Sequence, residues 1–244
     1  MRFSERQREI LFAAIGEHIR TGEPVASGDL KQRYHIRFSP ATVRNELMLL
    51  SEEGYLSQPH TSAGRIPTDA GYRWYVDAIN GQRWDPNQRV SLNKGAEKKL
   101  REDLRFSTDF DDLFRRSTET FAEMVHALVI GGLLDEHDPL HKSGFSQVFS
   151  DPEFSKEGMR NNFGELMDSI DSDMRALAKA EGGSYLRVFI GKENPIPEAR
   201  SYSMILKKIV GQKGDGVLAI LGPKRMHYDT GLALLRTIED MWQQ

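Results

Sequence analysis

Apolar positions recur every three or four residues over the first eighty residues, which is the spacing of short amphipathic helices. Ser4 and Gln7 form a capping-box pattern at the start of a first helix, which Gly22 ends. Ser27 can cap a second helix over residues 28–34. The positions of this second helix that should face inward are Leu30 and Tyr34.

A third helix has a clear signal at each end. Ser39 can accept a hydrogen bond from an amide of the first turn, and Pro40 suits the first helical position. Gly54 stands where a left-handed residue commonly ends a helix. The apolar stripe of this helix consists of Val43, Leu47 and Leu50, whereas Arg44, Asn45 and Met48 point elsewhere.

Two extended runs follow the third helix, at residues 55–57 and 65–67, and the turn between them lies near residues 61–64. Thr68 can cap a fourth helix that ends near Ile79. Three helices followed by a hairpin predict a winged helix-turn-helix, in which the third helix enters the DNA major groove and the wing lies along the backbone or minor groove.

The second half of the chain mixes helices and strands. Residues 81–93 lose the periodicity and predict a linker between a first domain, residues 1–80, and a second, residues 94–244. We predict helices over residues 94–106, 109–130, 155–180 and 228–242, strands over 185–190, 203–210 and 217–221, and irregular structure over 131–146. The fold class is therefore α+β. The wide apolar stripe of helix 109–130 suits core packing within the chain or a dimer interface equally well.

Composition excludes several functions. The 244 residues contain no cysteine, which rules out disulfides, thiolate zinc sites and a cysteine nucleophile. No apolar run approaches the ~18 residues of a membrane span, and the first residues look like a helix start and not a signal peptide, so we expect a cytoplasmic protein. No catalytic triad, metal-ligand spacing or phosphate-binding glycine loop stands out, which predicts a protein that is not an enzyme and needs no cofactor.

The net charge of the chain says little about its partners, so we consider the charges around the third helix and the hairpin. The net charge is −3, and residues 1–80 hold ten basic and ten acidic side chains. Around the third helix and the hairpin the basic positions are Lys31, Arg33, His35, Arg37, Arg44, His60, Arg65 and Arg73, against Glu46, Glu52, Glu53 and Asp69. This pattern alone fits an ordinary solvated surface better than a DNA-binding one.

A second polar cluster contains side chains that could ligate a metal ion. Its members are Asp135, Glu136, His137, Asp138 and His141. The cluster lacks a helical pair of histidines four residues apart, so it predicts a polar loop and no metal site.

The segment ATVRNELMLLSEEGYLSQPHTSAGRIPTDAGYRWYVD closely resembles the N-terminal domain of HrcA-type heat-inducible transcription repressors, as do SERQREIL and TGEPVASGDL before it. In the second domain, FSDPEF, VFIGKENP and LAILGPKRMHYD resemble the GAF-like domain of the same family. The chain is shorter than a typical member, and the shortfall falls between Ile130 and Phe145. In that place the family has the first part of its GAF-like sheet and an inserted dimerisation domain, so we expect a reduced GAF-like domain without the insert.

The resemblance implies a homodimeric repressor that binds double-stranded DNA at an inverted-repeat operator upstream of chaperone genes, with activity supported by the GroE chaperonin. The matching recognition-helix positions are Ser39, Thr42, Arg44 and Asn45, and the matching wing positions are His60, Thr61, Ser62, Gly64 and Arg65. Arginine can bind a guanine edge, asparagine can bind adenine, and wing hydroxyls can hold phosphate. The alternative is a ligand- or protein-responsive regulator with another operator and a sensory C-terminal domain.

Overall fold

The structure is a computed structural model that describes residues 3–60, 63–81, 90–135, 139–155, 157–180, 182–211 and 214–242. The chain divides into two compact units, Met1–Arg89 and Val90–Gln244. The predicted linker, residues 81–93, stays a prediction, because most of it lies outside the described residues. Within the described ranges, no helix has the length and apolar character that crossing a membrane requires.

The first unit is a winged helix, as predicted. Its elements are α1 (Glu5–Thr21), α2 (Ser27–Tyr34), α3 (Pro40–Glu52), β1 (Leu56–Ser57), β2 (Ile66–Pro67) and α4 (Asp69–Ile79). The side chains of Ser4, Ser39 and Thr68 cap α1, α3 and α4, and Ser4 forms the predicted capping box with Gln7. These local hydrogen bonds satisfy amides that a helix start would otherwise leave unpaired, which is why the sequence signals were reliable here.

The core of the first unit lies where the inner faces of α1, α2 and α3 meet. The fully buried side chains there include Ile10, Leu11, Ile15, Leu30, Val43 and Leu50. An ion pair of 2.5 Å between Arg6 and the buried Glu46 also joins α1 to α3.

Two details of α2 were predicted wrongly. Ser27 is the first helical residue instead of the cap, and Tyr34 is 37% exposed, with its hydroxyl donating to Glu17 Oε2 at 3.4 Å.

The second unit is a five-stranded antiparallel sheet with helices on both faces. Its elements are α5 (Lys94–Leu104), α6 (Phe110–Val125), β3 (Leu128–Leu133), β4 (His141–Ser143), α7 (Phe145–Ser150), α8 (Glu157–Lys179), β5 (Tyr185–Ile190), β6 (Tyr202–Ile209), β7 (Gly216–Pro223) and α9 (Tyr228–Trp242). The strand order is β4-β3-β7-β6-β5, and every neighbouring pair is antiparallel. The α+β fold class predicted from sequence is confirmed.

Helix α8 covers one face of the sheet, and α6 and α9 cover the other. The buried side of α8 presents Phe163, Leu166, Ile170 and Met174 to strand residues such as Met204, Leu206 and Leu221. Tyr202 donates its hydroxyl to the carbonyl oxygen of Met159 at 2.7 Å, and burial raises the pKa of this phenol to about 12. The sheet is thus sealed on both faces by helices of the same unit.

The prediction of one helix over residues 109–130 is wrong. Helix α6 ends at Val125, because His126 adopts a left-handed conformation with φ of 50°, and the chain then enters β3. The stretch predicted as irregular over 131–146 also contains the end of β3 and all of β4. Phe114, Phe121 and Val125 are buried inside the unit, so this part of the apolar stripe of α6 serves the core within the chain, whereas Phe110, Leu113 and Met124 are only half-buried.

Acid should weaken one contact at the start of α6. Asp112 accepts hydrogen bonds from Arg116 at 2.8 Å and Arg115 at 2.5 Å, and these bonds lower its pKa from 3.8 to about 2. A lowered carboxyl pKa contributes stability that is present above pH 3.8 and is lost as the pH falls towards 2. We therefore expect Asp112→Asn to lower the urea midpoint at about pH 7, and by a smaller amount at about pH 3. Equal differences at both pH values would contradict this assignment.

Candidate nucleic-acid interface

Helix α3 has one buried face and one open face. Val43, Leu47 and Leu50 point into the core, as the apolar stripe predicted. On the opposite side, Arg44 and Asn45 are both exposed to solvent. A helix presents residues three and four apart on the same face, so the outer surface of α3 carries a contiguous set of side chains that the fold itself does not use.

The two hydroxyl residues at the start of α3 have a local role. Ser39 Oγ accepts a hydrogen bond from the amide of Thr42 at 3.1 Å, and the two hydroxyl oxygens are 2.9 Å apart. Both side chains therefore help to define where the helix begins and which way its outer face points. A direct contact of Ser39 or Thr42 with DNA stays a prediction.

The hairpin forms a short wing. Strands β1 and β2 pair Leu56 with Pro67 and Ser57 with Ile66. His60 is exposed at the tip, whereas Thr61 and Ser62 lie outside the described residues. The amide of Gln58 donates from Nε2 to the carbonyl oxygen of Ala63 at 2.9 Å, across the base of the turn. Sequence reasoning did not select Gln58, and its only signal was a polar residue beyond the first extended run.

The wing is fastened to the segment before α2. The backbone groups of Val25 and Arg65 exchange two hydrogen bonds of 2.8 Å. This bridge holds Arg65 beside the beginning of α2, although the two residues are forty positions apart in the chain. Arg65 therefore belongs to a fixed part of the wing and not to its tip.

Arg44 and Arg65 line the same cavity of about 280 Å³. Its other lining residues are Val25, Ala26, Ser27, Leu47, Gln58, Ala63 and Gly64. The Nε atom of Arg65 is buried and has no hydrogen-bond partner among the described residues. Two guanidinium groups beside the N-terminus of α2 make this cavity electropositive, which favours an anion such as a backbone phosphate. Ser27 and Gln58 were not predicted as members of this site.

Three other basic residues near α3 have carboxylate partners within the first unit. Arg33 lies 3.4 Å from Glu17, Arg37 lies 3.9 Å from Glu5, and Arg73 lies 3.4 Å from Asp77. The pKa of Glu17 is below its ordinary value, chiefly because Arg20 donates hydrogen bonds to it. In contrast, Arg44 has no carboxylate partner in the described part of the chain. Its charge is available to a ligand.

In the polar cluster of the second unit, the described histidine pairs with a carboxylate of α6. Glu136, His137 and Asp138 lie outside the described residues. His141 Nε2 lies 2.7 Å from Asp111 Oδ1, so this histidine pairs with α6. Among the residues that can be described, no group of three or more histidine and carboxylate side chains is placed to hold a metal ion.

The wing should depend on Gly64. A Cβ atom at this position would overlap the carbonyl oxygen of Val25, so the bridge between the wing and the segment before α2 leaves no room for a side chain. We expect Gly64→Ala to destabilise the first unit by about 1–3 kcal/mol, which hydrogen exchange of peptides from this unit in increasing urea would measure.

The matched control is Gly28→Ala, because a Cβ there meets no atom within 4 Å and α2 gains helix propensity. If both glycine substitutions had the same small effect, the wing would not need this close backbone approach.

The fold defines the class of protein: the chain joins a winged helix, whose third helix has an open face, to an α+β unit. Residues 87–231 match the family described as HrcA protein C terminal domain. The chain belongs to the HrcA family.

Named relatives agree with this assignment. The chain is 40% identical over 126 residues to the heat-inducible transcription repressor HrcA of Parafrankia sp. (strain EAN1pec), which covers 52% of this chain and 35% of the relative. It is 56% identical over 79 residues to the protein of the same name from Moorella thermoacetica, covering 32% of this chain and 23% of the relative. These alignments span about a third or less of the curated relatives' own length.

A solved structure supports the fold. The crystal structure of a hypothetical protein superposes with a TM-score of 0.79 over 99% of both chains, at 18% sequence identity. This likeness extends over both units of the chain, and at this level of identity it concerns the fold alone.

Proposed function

We propose that this chain is a sequence-specific transcriptional repressor of heat-shock genes that binds an inverted-repeat operator. The observation that carries the proposal is the open face of α3, where Arg44 is exposed and lacks an internal carboxylate partner among the described residues. A guanidinium can donate two hydrogen bonds to a guanine edge in the major groove, and the neighbouring Asn45 can bind adenine.

The wing supplies the contacts that hold the helix in register. Arg65 is fixed by the bridge to Val25, its buried Nε atom has no hydrogen-bond partner among the described residues, and the residue lines the same cavity as Arg44. Phosphate contacts position a protein on DNA without reading the sequence, whereas base contacts specify it. In this proposal Arg65 holds backbone phosphate together with the wing-tip residues His60, Thr61 and Ser62, and Ser39 and Thr42 orient the start of α3.

The proposal includes two partners and a location that follow from the family. An inverted repeat presents two equivalent half-sites, so two copies of the chain bind one operator as a homodimer. The GroE chaperonin supports the active form, and the protein works in the cytoplasm.

The test begins with duplexes selected from a random library by the full chain. We expect enrichment of an inverted repeat, binding that falls steeply with salt concentration, and a mass by light scattering of two chains per duplex. A library that shows no enrichment at low salt would overturn the proposed function. A mass of one chain per duplex would overturn the homodimer.

A further inference from the structure

The centre of the open face of α3 is apolar. An α-helix turns by about 100° per residue, so Met48 falls between Arg44 and Asn45 when α3 is viewed along its axis, one turn further along. Met48 is 46% exposed, and the inner face of the helix is filled by its own leucines and valine. Neighbouring Ala41, also exposed, has a small side chain that lets the helix approach a partner closely.

The position of Met48 decides what kind of partner fits it. The side chain is flanked by a guanidinium on one side and a carboxamide on the other, and Arg44 brings a positive charge without an internal carboxylate partner in the described ranges. The guanidinium of Arg44 favours a polyanion over an apolar protein surface on the first turns of this face, ahead of the exposed Glu52 one turn beyond Met48. An apolar group set between base-reading side chains would also touch base edges.

Only one base offers a methyl group in the major groove. Thymine presents its C5 methyl there, whereas the other bases present hydrogen-bond donors and acceptors and bare C–H edges. Methionine is flexible and polarizable, so it adapts to a small methyl surface. We propose that Met48 determines part of the sequence preference of this protein by packing against the C5 methyl of a thymine. The inference rests on the proposed function and adds a specificity-determining residue to it.

Leu49 provides a matched comparison. It is 40% exposed, close to the value for Met48, but it is turned by about 100° towards the side where Glu46 binds Arg6 of α1. If a partner bound this face through a general apolar patch, both residues would contact it. The proposed thymine contact uses Met48, which lies between Arg44 and Asn45, and not Leu49, which lies on the far side of Asn45 from Arg44.

The experiment replaces each thymine of a duplex selected by the wild-type chain with deoxyuridine, one position at a time. Deoxyuridine lacks the C5 methyl and keeps every hydrogen-bonding group. For the wild type we expect one position in each half-site at which this change weakens binding about fourfold, the effect of losing one buried methyl. Met48→Ala should bind the thymine and deoxyuridine duplexes equally, whereas Leu49→Ala should keep the fourfold difference.

The outcomes separate this inference from the proposed function. If no duplex can be selected, the proposed function fails. If duplexes are selected but the wild type binds the deoxyuridine forms equally at every position, the role of Met48 is wrong while the proposed function stands. A fourfold difference that persists in Met48→Ala would also overturn it. Because the wild-type measurement requires no substitution, misfolding of a variant cannot produce the decisive result.

Discussion

Arg44→Ala is expected to weaken binding to the selected operator duplex by about 1–3 kcal/mol, or about 5- to 150-fold in Kd. Arg44 is exposed on α3 and is not engaged by a carboxylate in the described part of the chain, so its removal takes away a base contact without disturbing the fold. Fluorescence anisotropy at a fixed salt concentration would measure the change. The variant should also discriminate less between duplexes that differ at one guanine, because a base-reading side chain affects one position of the site.

Arg101→Ala is the matched control for Arg44→Ala. Arg101 is also an exposed helical arginine, but it lies on α5 of the second unit and its guanidinium pairs with Glu97 at 3.0 Å. Its replacement removes the same net charge from the chain and should leave operator binding within about twofold, since long-range charge effects are screened by salt. Operator binding by Arg44→Ala that matches the wild type would remove α3 from the proposed interface.

Leu50→Ala is expected to destabilise the first unit by about 2–5 kcal/mol, because a fully buried leucine leaves a cavity that the surrounding helices fill only partly. The expected loss of DNA binding follows from the folding defect, since the same helix carries the core on its inner face and Arg44 on its outer face. Two units unfold in this chain, so a bulk signal mixes two transitions. Hydrogen exchange of peptides from α3 in increasing urea would report the stability of the first unit directly.

Leu49→Ala is the control for Leu50→Ala. It deletes the same atoms from the adjacent position, where the side chain is 40% exposed, and should change stability by no more than about 0.5 kcal/mol. Similar losses from the two substitutions would mean that α3 does not pack with the inner face described above.

The helices of the first unit could be predicted because their signals are local. Ser4, Ser39 and Thr68 cap helices through hydrogen bonds to amides three residues away, and the apolar stripe of α3 has a period that the sequence shows directly. Gly64 was also named, as a wing position that matches the family, and the structure shows there a close approach of the backbone to Val25. That partner is not visible in the sequence.

The end of α6 could not be predicted for the opposite reason. Leu128, Val129 and Ile130 continue the apolar spacing of the helix, and a short apolar run does not distinguish a helix from a buried strand. The strand forms because Val129 pairs with Ile220, more than ninety positions later in the chain. The local sequence pattern contains no information about that pairing, which forms only when the sheet assembles.

Within the candidate interface, the sequence by itself determined which helix has an open face and which residue types that face offers: Arg44, Asn45 and, between them, Met48. The tertiary structure decided that Arg44 and Arg65 line one cavity, that Ser39 and Thr42 bond to each other, and that Phe114, Phe121 and Val125 of α6 are buried in the core. The physical reason is the range of the interactions. Caps and helical periodicity act within a few residues, whereas strand pairing, cavities and the burial of a side chain depend on segments that only the folded chain brings together.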